Sequence, residues 1–247
     1  MSFDIKEGLL MMLCGEGGVI TGRGPIIAVE IALWVMTALL AYLLGSVNTS
    51  IIVSRTIYRD DVRKHGSGNA GMTNMYRVFG KNAALLTLFG DIAKTLVSML
   101  IGGLLLGTGI YIYGLNISSG GMYVAGLFAV VGHIWPVYYK FKGGKGVLCT
   151  ATMALTLTPL VFAILFIIFL LVFLLTRFVS ASSIAAAVFY PVVLNAVFTV
   201  IFGTGSTPMM IGLVSILAAA IIIYCHIPNI KRIMNGEEPK FRFRRDK

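Results

Sequence analysis

Seven apolar stretches, most of them near the length that crosses a lipid bilayer, dictate what this chain can become. They fall at about 25–54, 83–107, 122–139, 147–159, 160–177, 181–202 and 209–225. A helix needs ~20 apolar residues to cross the hydrocarbon layer, and in lipid only helices and closed barrels satisfy their own backbone. Of the 247 residues 57% are apolar and only 12% charged, whereas soluble domains carry about 25% charged residues. The sequence therefore predicts an all-α, polytopic membrane protein of seven transmembrane helices. Six is the alternative count, because 147–175, around Pro159, reads either as one kinked helix or as two short ones.

Charge sets the orientation. With the N-terminus outside, the cytoplasmic segments are 55–82, 140–145, the region of Arg177, and 226–247, which hold 17 of the 20 Lys and Arg. Lys6 and Arg23 lie outside and Lys94 falls within a span. A bias this one-sided predicts N-terminus out and C-terminus in, and six spans would split the basic segments between two sides. The net charge of +10 fits this loop topology and attraction of anionic ligands better than nucleic acid. Cys14, Cys149 and Cys225 have no metal-like spacing and read as small apolar residues; no metal site is expected. Residues 1–24 lack a basic start, and their apolar run at 9–13 is too short for a signal-peptide core. They read as an extension of unknown role before a single membrane domain, 25–247. Gly45 and Ser46, inside the first span, favour close helix packing over a wet cavity.

The polar residues cluster, and the clusters face one side. Gly66-Ser67-Gly68-Asn69 feeds a helix expected near Met72, on which Thr73 and Arg77 are four residues apart and share a face. Asn74 adds a short amide. A glycine-rich turn leading into a helix N-terminus, with an arginine one turn on, suits phosphate or is an ordinary capped turn. Lys140-Phe141-Lys142-Gly143-Gly144-Lys145-Gly146 is a second such turn, with glycines able to wrap an anion. It lacks the spacer and trailing hydroxyl of a nucleotide P-loop, and it also reads as a plain basic loop. Gly132-His133 with Pro136 ends a span, where a packed, hydrogen-bonded histidine is commoner than a catalytic base. Asp91 and Lys94, at i and i+3 within a span, can pair on one face and are functional candidates or a structural pair bordering the site. Ser180 follows Arg177 where a span meets the cytoplasm; N-capping or phosphate binding accounts for it. His226 is the histidine best placed for proton transfer near neutral pH, although Pro228 leaves open whether it shares a face with Asn229. A transporter would sooner place polar groups at the midplane on broken helices.

In this order and spacing the motifs resemble the bacterial membrane acyl-phosphate:glycerol-3-phosphate acyltransferases over roughly residues 28–238. Tyr42-Leu43-Leu44-Gly45-Ser46, the run from Gly66 through Thr73-Asn74 to Arg77, and Asp91 with Lys94 carry the resemblance. So do Gly132-His133 with Pro136, the 141–146 turn, the Ser180 segment, and His226 with Asn229. Met72, Pro228 and the first 24 residues depart from the family pattern.

The resemblance implies a seven-helix enzyme of the bacterial inner membrane, a monomer with its active site facing the cytoplasm. It would move a fatty acyl group from acyl phosphate to the 1-hydroxyl of glycerol 3-phosphate, the first acylation of phospholipid synthesis, giving lysophosphatidic acid and inorganic phosphate. No cofactor and no acyl-CoA are expected. An acyl phosphate is already activated, so the protein's task is to position two phosphates and stabilise developing charge. Ser67, Gly68, Asn69, Thr73, Arg77, Lys142, Gly143, Gly144, Lys145 and Ser180 are the expected phosphate-binding set. Asn74 would orient the acyl carbonyl or the acceptor, and His226 with Asn229 would hold glycerol 3-phosphate. Either His226 or a substrate phosphate takes the hydroxyl proton. The rival readings are a transporter using Asp91 and Lys94, and a non-catalytic lipid-binding subunit.

Overall fold

The computed structural model describes residues 8–15, 18–107 and 120–241, and among them all regular structure is helical. After a short helix α1 (Gly8–Cys14), the chain forms α2 (Arg23–Gly45), α3 (Thr49–Thr56), α4 (Met72–Phe79), α5 (Lys81–Leu106) and α6 (Gly120–Ile134). Then follow α7 (Val147–Leu157), α8 (Pro159–Thr176), α9 (Val179–Ala196), α10 (Met209–Cys225) and α11 (Ile227–Met234). Of the expected extension 1–24, residues 1–7, 16 and 17 lie outside the described residues, as do 242–247 of the basic tail. The described part of the extension includes α1, which packs against α5 and α2.

Five helical stretches are long and apolar enough to cross a membrane, namely Arg23–Thr56, Lys81–Leu106, Gly120–Tyr139, Pro159–Thr176 and Val179–Ile201. A sixth consists of α10 and α11 together, bent by 52°. The stretch expected to span at 147–159 is instead the 11-residue α7; at 1.5 Å per residue it reaches about 16 Å, roughly half of the hydrocarbon layer. The ambiguity at 147–175 resolves into two helices. Pro159 opens α8, where a missing N–H costs nothing, and Thr158 before it is pushed out of the helical region (φ −142°, ψ 72°).

The first span also breaks. Asn48 caps α3, its side-chain oxygen accepting from the Ile51 N–H at 3.2 Å, so the chain re-enters helix after a short irregular step. Ser46, fully buried, donates to the Tyr42 carbonyl at 2.8 Å and accepts from the Val137 N–H at 3.3 Å. Gly45 and Ser46 therefore serve packing, as their small size suggests.

The bundle is assembled around α6, which packs on α2, α5, α7 and α10. A Cβ on Gly132 would stand 2.3 Å from the Tyr42 carbonyl oxygen, and one on Gly45 2.4 Å from that of Ala129. Gly102 of α5 and Gly121 of α6 meet in the same way. With no hydrophobic drive between helices in lipid, such backbone proximity is what holds them. Met99, Tyr123, Leu127, Met153 and Leu194 fill the core between this half and α7–α10. By contrast α8 fully buries only Val161 and Leu165, with Phe162, Ile164 and Ile168 partly buried against the core.

The basic segments meet at one end of the bundle. Arg63 donates to the carbonyls of Tyr139 and Lys142, joining 55–82 to 140–145. The Phe241 N–H donates to the Arg177 carbonyl at 2.8 Å, joining the tail to the α8–α9 turn. Replacing Gly132 by Val forces α2 and α6 apart and lowers the thermal unfolding midpoint in detergent, with an expected cost of about 1–3 kcal/mol. Gly212→Ala, whose added methyl meets nothing nearer than 3.8 Å, leaves the midpoint unchanged.

Candidate active site

At that end a cavity of about 420 Å³ opens between three walls. The first is the 62–80 segment. Asp61 caps the short turn Val62–Lys64, and the chain then loops to α4. Thr73 and Arg77 of α4 both line the cavity, as their spacing requires, with Ser67 and Asn69 from the loop. Asn74 also borders it, but its amide is committed to the loop. Its nitrogen donates to the carbonyls of Val62 (3.1 Å) and His65 (3.0 Å), and its oxygen accepts from the Ser67 N–H (2.9 Å). In place of the substrate contact expected for it, Asn74 shapes the turn that presents Ser67. Gly68, at φ +70°, shapes that turn too and is not among the lining residues.

The second wall is the loop 136–146. Two of its glycines, Gly143 and Gly144, have amides that are already used and so are not open to an anion. The Gly143 N–H donates to the Ile134 carbonyl and the Gly144 N–H to that of His133, both at 3.0 Å. A Cβ at Gly143 would lie 2.0 Å from the His133 carbonyl oxygen, and one at Gly144 2.0 Å from His133 Nε2. The glycines are there to let the loop dip against the end of α6. Lys145 lines the cavity; Lys142 is exposed and does not.

Beneath this loop lies a buried cluster. Lys94 Nζ pairs with Asp91 Oδ1 at 2.9 Å, lies 2.9 Å from His133 Nδ1, and donates to the Val47 carbonyl at 3.0 Å. The i,i+3 pair forms as expected, and His133 joins it as a packed, hydrogen-bonded ring. Asp91 and His133 border the cavity floor.

The third wall comes from α9, the α10–α11 junction and the tail. Ser180 is not the helix cap, a place taken by Phe178; its hydroxyl donates to Glu238 Oε1 at 2.6 Å. Asn229 Nδ2 donates to the same oxygen at 2.7 Å and Arg232 Nε to Oε2 at 2.8 Å. Lys145 Nζ in turn donates to Asn229 Oδ1. Burial would raise the Glu238 carboxyl, but the hydrogen bonds from Ser180, Asn229 and Arg232 prevail and hold it below the usual range. Pro228 sits in the first turn of α11, where its ring is tolerated. The bend there brings both His226 and Asn229 to the cavity. His226 lies just past the end of the α10 span, 2% exposed. Burial first, and then the charge of Lys145, push its pKa down to about 4, so the ring is neutral at pH 7. Its Nδ1 is 2.8 Å from the Ile222 carbonyl, which can only accept; Nδ1 therefore carries the hydrogen and Nε2 is the ring's acceptor.

Of the expected set the cavity thus gathers Ser67, Asn69, Thr73, Arg77, Lys145, Ser180, His226 and Asn229, and leaves Gly68, Lys142, Gly143 and Gly144 off its lining. Sequence reasoning missed Arg232, Glu238 and Ser183, which also line it. Arg232 stands three residues after Asn229 as Asn229 stands three after His226, a helical spacing that was readable. Among the described residues no group of three or more His, Cys, Asp or Glu side chains is placed to hold a metal ion.

Away from these polar groups the cavity continues as an apolar slot. Leu148 and Ala151 of α7, Phe162, Phe166 and Phe169 of α8, and Ala187 of α9 line it. Phe166 is half exposed on the outward face of α8. Three cations, Arg77, Lys145 and Arg232, stand at one end of an apolar slot, an arrangement that suits an anionic head joined to a greasy chain.

The comparisons place this architecture in a family. The model of the family described as "Glycerol-3-phosphate acyltransferase" matches residues 35–236. The glycerol-3-phosphate acyltransferase of Thermoanaerobacter pseudethanolicus is 38% identical over 206 residues, 83% of this chain and 94% of that one. That of Syntrophomonas wolfei is 40% identical over 201 residues, 81% and 93% of the two chains. The crystal structure of PlsY, an integral membrane glycerol 3-phosphate acyltransferase, in its glycerol 3-phosphate form, superposes with a TM-score of 0.71 at 32% identity, covering 85% of this chain and 96% of that one. Its lysophosphatidic acid form gives 0.68 at 31%, covering 85% and 95%. The chain belongs to the glycerol-3-phosphate acyltransferase family.

Burial, reinforced by the charges of Arg232 and Arg77, lowers the pKa of Lys145 to about 8. Its charge is full below that pH and lost above it. Binding of a phosphate monoester, mainly a dianion above pH 7, is expected to hold from pH 7 to 7.5 and to weaken about tenfold by pH 9. Lys145→Met abolishes this dependence, as titration calorimetry of the detergent-solubilised protein will read.

Proposed function

We propose that this protein transfers a fatty acyl group from acyl phosphate to the sn-1 hydroxyl of glycerol 3-phosphate, yielding lysophosphatidic acid and inorganic phosphate. The observation that carries the reading is the cavity itself: Arg77, Lys145 and Arg232 converge with serine hydroxyls at one end of an apolar slot. Such a site suits two phosphate heads, one of them bearing an acyl chain that stays among Leu148, Phe162 and Phe166.

In this reading the acceptor hydroxyl attacks the acyl carbonyl carbon. The carbonyl oxygen takes up negative charge, and the bond to the phosphate oxygen breaks as phosphate leaves with the electron pair. The donor is a mixed anhydride with a good leaving group, so neither a covalent enzyme intermediate nor a cofactor is needed. The protein supplies placement and charge. Ser67, Asn69, Thr73 and Arg77 receive one phosphate, and Lys145 with the Ser180–Asn229 wall receives the other. His226, neutral and with Nε2 as its acceptor, stands beside Asn229 to hold the acceptor hydroxyl. The proton passes either to the leaving phosphate, whose second pKa is near 6, or to His226.

The topology reading is seven passages, N-terminus out, C-terminus in, in a bacterial inner membrane with the site facing the cytoplasm. Its support is that α6, α8 and α10 end, and α7 and α9 begin, around this basic-rimmed cavity, which is alternation of direction with α7 as the short passage. All three walls come from one chain, consistent with a monomer. A transporter reading loses support because Lys94 is already paired with Asp91 and donates to the Val47 carbonyl.

Purified protein given acyl phosphate and glycerol 3-phosphate is expected to release phosphate only when both are present. Release without the acceptor would mean hydrolysis and sink the transfer reading. Arg77→Ala, properly folded, should lose more than about a hundredfold in kcat/KM, since a charge-assisted contact to the reacting phosphate is removed; wild-type turnover would remove its phosphate role. His226→Ala should raise KM for glycerol 3-phosphate more than it lowers kcat, whereas a collapse of kcat at unchanged KM assigns the proton transfer to His226.

A further inference from the structure

Arg63 is absent from the cavity lining, yet its guanidinium joins the segment that leads to Arg77 with the loop that carries Lys145. Its Nε and one terminal nitrogen donate to both carboxylate oxygens of Asp61, at 3.0 and 2.8 Å. The other terminal nitrogen donates to the carbonyls of Tyr139 and Lys142, each at 3.1 Å. Asp61 is itself held by Arg55 at 2.8 Å and by the Arg63 N–H. Hydrogen bonds from Arg63 outweigh burial and keep the Asp61 carboxyl far below the usual carboxylate range, so the anchor is charged at any working pH.

What the two carbonyls bracket gives this link its significance. Between Tyr139 and Lys142 lie Lys140 and Phe141, both at φ +57°. Two consecutive non-glycine residues in the left-handed region are an uncommon and costly arrangement that persists only where the surroundings enforce it. Arg63 spans this turn from outside, like a clasp. Three residues past the clasp is Lys145, and from the other side the same segment runs on through Ser67 to Arg77. The Ala70 N–H to Gly143 carbonyl contact, at 3.4 Å, is a weak second tie. An exposed ion pair adds little, but the Arg63 side chain is only 19% exposed, and charge-assisted bonds to carbonyls are stronger than neutral ones. A lysine, with a single nitrogen, cannot replace a planar fork that reaches a carboxylate on one edge and two carbonyls on another.

We propose that Arg63 is a positioning residue of the phosphate site: by clasping the 139–142 turn it sets the distance between Lys145 and the Arg77 wall, so that both cations are engaged at once. This rests on the phosphate-handling reading above. The test is a double-mutant cycle of Arg63→Ala and Lys145→Ala in full-length protein, with kcat and KM measured for both substrates and thermal midpoints recorded. Lys145→Ala is expected to raise KM for one substrate. Arg63→Ala should raise KM for that same substrate about tenfold, with kcat changed less than threefold. In the Lys145→Ala background, adding Arg63→Ala should change that KM less than twofold, and Arg63→Lys should resemble Arg63→Ala. Independent, multiplying effects of the two substitutions would overturn the positioning role while leaving the site reading intact, as would a folded Arg63→Ala with wild-type KM. A wild-type KM for both substrates in Lys145→Ala would overturn the site reading itself, and the proposal with it. Should Arg63→Ala fail to fold, Asp61→Asn, which loosens the guanidinium without deleting it, enters the same cycle with the same expected coupling.

Discussion

The rest of the molecule depends on how closely the backbone of α6 lies against its neighbours. At Gly121 it touches α5 and at Gly132 it touches α2, too near to admit a methyl group. In a solvent as apolar as the side chains themselves, this contact rather than hydrophobic burial gives the bundle its cohesion. It also fixes the site, because the last carbonyls of α6, on His133 and Ile134, are the acceptors that hold Gly144 and Gly143. The loop that delivers Lys145 is thus anchored to the most buried of the spanning helices. Below it the Asp91–Lys94–His133 cluster ties α5 and α6 together and, through the Val47 carbonyl, the break in the first span. A charged cluster in a membrane bundle is costly unless paired, and here Lys94 pairs with Asp91 and also contacts His133 and the Val47 carbonyl.

The polar groups above that floor come from parts of the chain far apart in sequence, each delivered by a helix end. Lys145 precedes α7, Ser180 opens α9, and His226 and Asn229 flank the bend into α11. Helix ends are where backbone and short side chains are not consumed by helix bonding. Putting several of them at one cavity therefore gathers polar groups without opening any helix in lipid.

How much of this was readable beforehand follows the range of the interactions. The spans were legible because hydropathy is local, and Pro159 marked a helix boundary through its own ring. Asp91 with Lys94 and Thr73 with Arg77 were legible because helical spacing puts i,i+3 and i,i+4 neighbours on one face. The capture of Lys94 by His133, 39 residues away, was not, since nothing local encodes it. Gly143 and Gly144 were misread: a pair of glycines looks the same whether it serves a ligand or a close approach, and here the neighbour is His133. Lys142 and Lys145 were inseparable by pattern, because the left-handed turn at Lys140 and Phe141 destroys any period from which a facing could be read. The half-length of α7 hid inside an apolar run that continues across Pro159. Arg232 carried a usable signal in its spacing from His226 and Asn229, while Glu238, an acid in a basic tail, carried only its charge.

Glu238 changes the electrostatics of the cavity. Isolated cations held out of water would repel one another, and Lys145 among them would lose its proton more readily, so a pocket of bare positive charge at the membrane surface would be hard to keep formed. With its carboxylate bonded to Arg232, Asn229 and Ser180, the chain carries its own resident counter-ion. In the proposed function an incoming phosphate therefore meets a partly neutralised basin, and it trades places with, or shares donors with, an anion that the protein itself supplies.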